Sequence, residues 1–132
     1  MISFRSQFEL FESVMKIMIV DDNARIRETI RKIVQNQFDE VIEFADASSA
    51  LAACIFEKPD WVLMDIRMPG MDGIEATRLI HNIFPTSRVT IVTEYADDRH
   101  RKAAAEAGAD SFVSKENLTE LRRIVADIKK EI

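Results

Sequence analysis

Five side chains in this sequence could do chemistry together: Asp21, Asp22, Asp65, Thr93 and Lys115. Each closes or follows a short apolar run: "KIMIV" precedes Asp21-Asp22, "WVLM" precedes Asp65, "RVTIV" precedes Thr93 and "SFVS" precedes Lys115. Taken singly, each has an ordinary explanation. A loop aspartate usually caps a helix, a threonine at a strand end is β-branched filler, and a lone lysine is solvated. Together they imply a charged site. Two carboxylates about 4 Å apart repel by roughly 4 kcal/mol at an effective dielectric near 20, so either one is protonated or a cation sits among the three. An all-oxygen site with room for water suits Mg²⁺. A divalent cation, a lysine and a hydroxyl around one carboxylate are the fittings of phosphoryl transfer, in which a carboxylate can be the covalent nucleophile. Asp65 would attack the phosphoryl group, Mg²⁺ and Lys115 would offset charge on its oxygens, and Thr93 would donate a hydrogen bond to the product.

Periodicity indicates the elements that must hold these groups. Strands are expected at 16–20, 41–45, 61–65, 88–93 and 111–115, several of them apolar on both faces. Helical spacing of apolar residues follows each one. From Asn23 it runs through Ile26, Ile30, Ile33 and Val34. The stretch 48–58 has serine cap candidates and a stop at Pro59, and Asp72 can cap a helix over 73–83. Residues 96–107 form an alanine-rich helix ended by Gly108. Asn117 with Glu120 makes a capping-box-like start for the last helix, striped by Leu118, Leu121, Ile124, Val125 and Ile128. Five strands alternate with five helices through short connections. Strands buried on both faces belong to a parallel sheet with helices on both sides. The expected fold is a three-layer, doubly wound α/β domain, whose ligand site lies at the carboxyl ends of the strands. All five candidate residues fall on that edge. Asp65 there should escape burial, because strand three ends where the sheet opens, while Pro69-Gly70 turns the chain away. Trp61 is expected near the Asp65 end of its strand, as a fluorescent reporter.

The totals agree with one ordinary globule. The 132 residues are 47% hydrophobic and 31% charged, enough for a single core. A net charge of -5 argues against broad nucleic-acid binding. The single cysteine, Cys54, excludes an internal disulfide, fits a reducing cytoplasm and reads as a small core residue. No apolar run reaches the length of a membrane span. His81 and His100 are isolated, and Arg99, His100, Arg101 and Lys102 read as a solvated basic face.

The stretches "IVDD" (19–22), "MDIRMPGMDG" (64–73), "IVTEY" (91–95) and "FVSK" (112–115) resemble, in order and spacing, the receiver domain of bacterial two-component response regulators. The resemblance covers about 16–130. Its "MDIRMPGMDGIEATR" is most similar to the branch with helix-turn-helix output domains. It implies a five-stranded flavodoxin-like (βα)5 fold and a phosphoacceptor at Asp65. It implies Mg²⁺ held by Asp22, Asp65 and the backbone carbonyl of Arg67, with Asp21 acting through water. Thr93 and Lys115 would contact the phosphoryl group. Thr93 and Phe112 would form the mobile switch, with phenylalanine where many relatives have tyrosine. Arg67 and Tyr95 occupy positions that tune phosphoryl lifetime. Glu116 stands where the family often has proline, so a cis bond is disfavoured there.

The implied function is a non-enzymatic, cytoplasmic signalling switch, phosphorylated by a histidine kinase or phosphotransfer protein and read out near helices four and five. The rival readings are a degenerate receiver that only binds partners and a phosphatase of the haloacid dehalogenase type. The latter needs a carboxylate two residues after the nucleophile, where Arg67 stands. The downstream partner is undetermined and a homodimer stays open. DNA binding would require an output domain; the sequence stops at Ile132 where the fifth helix is expected to end, which fits either a stand-alone receiver or a receiver cut from a longer regulator. Residues 16–132 make the receiver. Residues 1–15 make an N-terminal extension in which Phe4, Phe8, Phe11 and Met15 recur at helical spacing, either an amphipathic helix docking on the domain or on a second copy, or a disordered tail, or a start placed too early where the family would begin at Met15-Lys16.

Overall fold

The computed structural model describes residues 15–131, so the extension apart from Met15 lies outside the described residues. Five strands form one parallel sheet in the order β2-β1-β3-β4-β5. They are β1 (Lys16–Val20), β2 (Glu40–Phe44), β3 (Trp61–Met64), β4 (Arg88–Thr93) and β5 (Ser111–Ser114). The helices between and after them are α1 (Ala24–Val34), α2 (Ala47–Glu57), α3 (Gly73–Ile83), α4 (Asp98–Glu106) and α5 (Glu120–Glu131). The doubly wound α/β fold expected from the alternation is the fold observed.

Successive side chains of a strand point to opposite faces, and the two cores separate accordingly. Ile17, Ile19, Trp61 and Leu63 pack with Ile30 and Val34 of α1 and with Leu121, Val125 and Ile128 of α5. Met18, Val20, Val62 and Met64 pack with Ala50 and Cys54 of α2, Ala76 and Ile80 of α3 and Ala104 of α4. Removing a buried Ile or Leu side chain to Ala from either core costs about 2–5 kcal/mol. The register pairs Val20 with Met64, and Met64 with Ile91, so β1 and β3 end side by side and β4 runs two residues further to Thr93.

Several caps differ from the sequence expectation. Asp46, not a serine, caps α2, its Oδ1 accepting from the Ser49 amide at 2.8 Å. Asp97 caps α4, which starts at Asp98 rather than 96. Asn117 does not cap the last helix. Ser114 Oγ, three residues earlier, accepts from the Glu116 amide at 3.2 Å and caps Lys115–Asn117 as a 3₁₀ turn. Bonds from Leu121 to Leu118 and from Arg122 to Thr119 then lead into α5, so Glu120 opens the helix instead of closing a capping box. Trp61 begins β3 rather than ending it. Its buried indole donates to Thr90 Oγ1 at 2.8 Å. At about 3.3 Å per residue it stands roughly 13 Å from Asp65, too deep and too far to sense that carboxylate directly. Cys54 is fully buried, as expected. No described helix is long and apolar enough to cross a membrane.

Candidate functional site

The carboxyl ends of β1, β3, β4 and β5 bring all five predicted residues to one edge. β1 delivers Asp21 and Asp22 before Asn23 turns the chain into α1. The Asn23 side chain accepts from the Arg25 and Ile26 amides, and its own amide donates to Asp21 Oδ1 at 2.8 Å. Asp21 is thereby fixed inward and Asp22 is left exposed. β3 delivers Asp65, whose amide donates to Val20 O at 2.9 Å, extending the β1–β3 pairing by one residue. β4 ends in Thr93, fully buried, whose hydroxyl accepts from the Tyr95 amide at 3.0 Å. Lys115 follows β5.

Carboxylate oxygens of Asp21, Asp22 and Asp65 lie within 4.8 Å of one another. Lys115 Nζ is 2.8 Å from Asp21 Oδ2 and 3.4 Å from Asp65 Oδ2. The expectation that Asp65 escapes burial is not met: the residue is only 5% exposed. Desolvation, aided by the Asp21 charge and opposed by Lys115, pushes its carboxyl up from 3.8 to about 6. Burial alone would lower the Lys115 pKa, but contacts with Asp21 and Asp65 outweigh it and the net direction is upward. The ammonium is therefore a fixed charge. Asp65 Oδ1 accepts from the Ile66 amide at 2.9 Å. Asp21 Oδ2 is buried beside the Lys115 ammonium, with no well-aligned hydrogen bond among the described residues, so the oxygen retains acceptor capacity. Two buried carboxylates sharing one ammonium, with an exposed third beside them, keep surplus negative charge. That donor set, all oxygen and open to solvent through Asp22, fits a hard divalent cation.

Beside the acids lies a polar cleft of about 250 Å³, lined by Asp22, Asn23, Asp65, Arg67, Glu94, Tyr95 and Lys115. Its wall holds a pair that sequence spacing could not reveal: the Arg67 guanidinium stacks 4.3 Å above the Tyr95 ring. Tyr95 in turn packs against His100, with ring centroids 5.7 Å apart, and His100 Nδ1 lies 2.8 Å from Asp97. Hydrogen bonds from the His100 amide and ring hold the Asp97 carboxyl below its usual range. Arg101 stacks 4.6 Å over Phe112. The basic stretch on α4 is thus not simply a solvated face. Two of its members grip the aromatic residues next to Thr93 and Lys115. Asn23 and Glu94, which sequence reasoning passed over as site residues, also line the cleft. Each lies within two residues of an assigned one.

The turn after Asp65 is shaped by backbone. Gly70 has φ +86°, a left-handed conformation suited to glycine. Gly73 opens α3 directly beneath Asp65, where an added Cβ would lie 1.8 Å from the Asp65 carbonyl oxygen. The Gly73 amide donates to Ile66 O at 2.8 Å, which folds the loop away from the carboxylate.

A doubly wound parallel sheet with an acidic triad and a lysine at its carboxyl edge defines a class of signalling domain, and comparison with known proteins agrees. The profile of the response regulator receiver domain matches residues 17–127. The chain belongs to that family and is a receiver domain of two-component response regulators. It is 39% identical over 104 residues to the uncharacterized transcriptional regulatory protein YhcZ of Bacillus subtilis, covering 77% of this chain and 49% of that protein. It is 37% identical over 103 residues to the response regulator VraR of Staphylococcus aureus, covering 76% and 49%. The chain thus spans about half the length of these relatives. Among solved structures, the BeF3-activated DrrB receiver domain superposes with a TM-score of 0.81 at 29% identity, covering 89% of this chain and 98% of that one. A LuxR-family two-component response regulator from Aurantimonas sp. SI85-9A1 gives 0.79 at 34% identity, covering 89% and 87%.

Proposed function

We propose that this receiver is a phosphoacceptor switch that takes a phosphoryl group on Asp65 from a histidine kinase or phosphotransfer protein, in a Mg²⁺-dependent step. The observation that carries this reading is the Asp65 carboxylate itself, oriented by the Ile66 amide and flanked by Asp21, Asp22 and Lys115. Asp65 Oδ2 forms the new P–O bond. The P–N bond of the donor phosphohistidine breaks, and the leaving imidazole keeps the electron pair. Lys115 Nζ, close to Oδ2, stands against the charge gathering on the phosphoryl oxygens. Asp22, Asp65 and the Arg67 backbone carbonyl, with Asp21 through water, would hold Mg²⁺, which when bound supplies further positive charge to those oxygens.

Readout passes through the residues gripped by α4. A phosphoryl group adds a charge of about -1.5 to -2, by analogy with phosphorylated hydroxyls. That charge offers a new acceptor to the Thr93 hydroxyl, now engaged by the Tyr95 amide. Movement of Thr93 would alter Tyr95 and Phe112 and with them the stacked Arg67, His100 and Arg101, biasing a two-state surface around α4 and α5. The receiver assists its own phosphorylation and dephosphorylation and is a signalling switch rather than an enzyme in the ordinary sense. Any role in transcription, such as YhcZ has by name, would rest on a further domain.

The test is incubation with Mg²⁺ and acetyl phosphate, read by intact mass. One phosphoryl group should be gained by the wild type, and lost with a chelator or in Asp65→Asn. An equal gain in that variant overturns the assignment of Asp65. No gain in the wild type leaves a receiver that only binds partners.

A further inference from the structure

On the face of the sheet covered by α2, α3 and α4, an apolar groove of about 380 Å³ runs between α2 and α3. Leu51, Ala52 and Ile55 form one wall, and Met71, Ile83 and Phe84 the other. Ile55 is 59% exposed, Ile83 58%, and Phe56, one helical turn beyond Ala52, 83%. All three stand at the C-terminal ends of α2 and α3. Large apolar side chains concentrated at one end of one groove mark an interaction surface, unlike singly scattered ones. Each helix runs back against its parallel strand, so this end lies at the edge of the sheet opposite Asp65. The surface does not depend on the phosphoacceptor reading.

We propose that this groove is the interface of a homodimer, closed about a two-fold axis, in which Phe56 of each copy enters the groove of the other. Three observations single out a second copy. The first is charge. Residues 47–56 carry no charged side chain, although Ser48, Ser49, Ala52, Ile55 and Phe56 all face outward. Other helices meet water through charges, such as Glu28 and Lys32 of α1 or Glu75 and Arg78 of α3. A helix without a charged face is expected to be covered. The chain has a net charge of -5, so two copies repel in general, and an uncharged face is where they meet at least cost. A strongly charged partner would find no counter-charge in the lining. The second is self-complementarity. A two-fold interface uses one patch twice, so that patch must hold both a projection and a recess. Phe56 projects one turn past Ala52, which lines the recess. Ser48, Ser49 and Ala52 are small and let two α2 helices approach closely. The third is area. An aromatic side chain carries roughly 150–250 Å², so Phe56, Ile55 and Ile83 offer on the order of 400 Å² per copy. Both copies with their polar rims bury about 1,000 Å², the low end for a specific interface. The dimer is therefore weak, with a Kd on the order of 100 µM, and it leaves α4 and α5 free.

Sedimentation equilibrium of the full chain, from about 10 µM to about 1 mM, tests the proposal. The weight-average mass should climb from that of one chain, 15.1 kDa, toward twice that value. Phe56→Lys and, separately, Ile83→Lys should each raise the Kd by about tenfold or more. Circular dichroism should stay unchanged in both, because each side chain is exposed in the monomer. Under mild oxidation, Ala52→Cys should form a disulfide-linked dimer severalfold faster than Ala126→Cys on α5, the native Cys54 being buried. A chain that stays monomeric at about 1 mM overturns the proposal. A dimer that both lysine variants leave intact, or that cross-links equally at the two cysteine positions, overturns it by placing the contact on another face.

Discussion

Asp65→Asn in the absence of divalent metal isolates what the buried carboxylate costs the fold. Its carboxyl rises from 3.8 to about 6 on folding, chiefly through desolvation. The folded state therefore binds this proton more tightly than the unfolded chain. The resulting stabilisation is complete below about pH 4 and is lost as pH rises through about 6. At about 1.4 kcal/mol per pKa unit, ionised Asp65 costs the fold on the order of 3 kcal/mol at pH 7. Asparagine matches the protonated acid in shape and charge and escapes that cost. The variant should be more stable than the wild type by about 2–3 kcal/mol at pH 7 and by roughly 1 kcal/mol at pH 4.5. Urea unfolding at the two pH values reads this directly, as a midpoint about 1–2 M higher at pH 7. Mg²⁺ should then stabilise the wild type, by about 2.7 kcal/mol at a hundred times its dissociation constant, and narrow the gap. Equal stabilities at pH 7, or a difference that does not shrink on acidification, would refute the claim that burial of this carboxylate stores free energy against the fold.

Gly73→Ala should unfold or severely destabilise the domain, by more than about 3 kcal/mol, because the new methyl meets the Asp65 carbonyl rather than a movable side chain; thermal denaturation checks it, and a loss under about 1 kcal/mol counts against the close approach. Burial pushes the Cys54 thiol up to about 11, so a disulfide reagent at pH 8 should label the protein only as fast as it unfolds. Tyr95→Ala removes the ring under Arg67; stability should fall by about 1 kcal/mol or less, while the lifetime of phosphorylated Asp65, followed by mass, should change severalfold. An unchanged lifetime would make the stack mere cleft lining.

The sequence alone determined the five-strand, five-helix alternation, because strand and helix periods are local and each apolar stripe is written in consecutive residues. It also determined the chemical inventory at the carboxyl edge, since Asp21, Asp22, Asp65, Thr93 and Lys115 each stand where an apolar run stops. Caps were less legible. Asp46 caps α2 ahead of the serines, and Ser114 starts a 3₁₀ turn before Asn117 is reached, because several polar side chains stand within a few residues of each helix start and only backbone geometry separates them. Tertiary structure alone decided that Asp65 is buried and Asp22 is not, a consequence of the side-by-side ends of β1 and β3 and the turn at Asn23. It alone set Arg67 on Tyr95 and Arg101 on Phe112 of β5. Those contacts join segments that belong to different strands or to a helix and the strand after it, and their distances follow from the order β2-β1-β3-β4-β5 and its register, which no local spacing encodes.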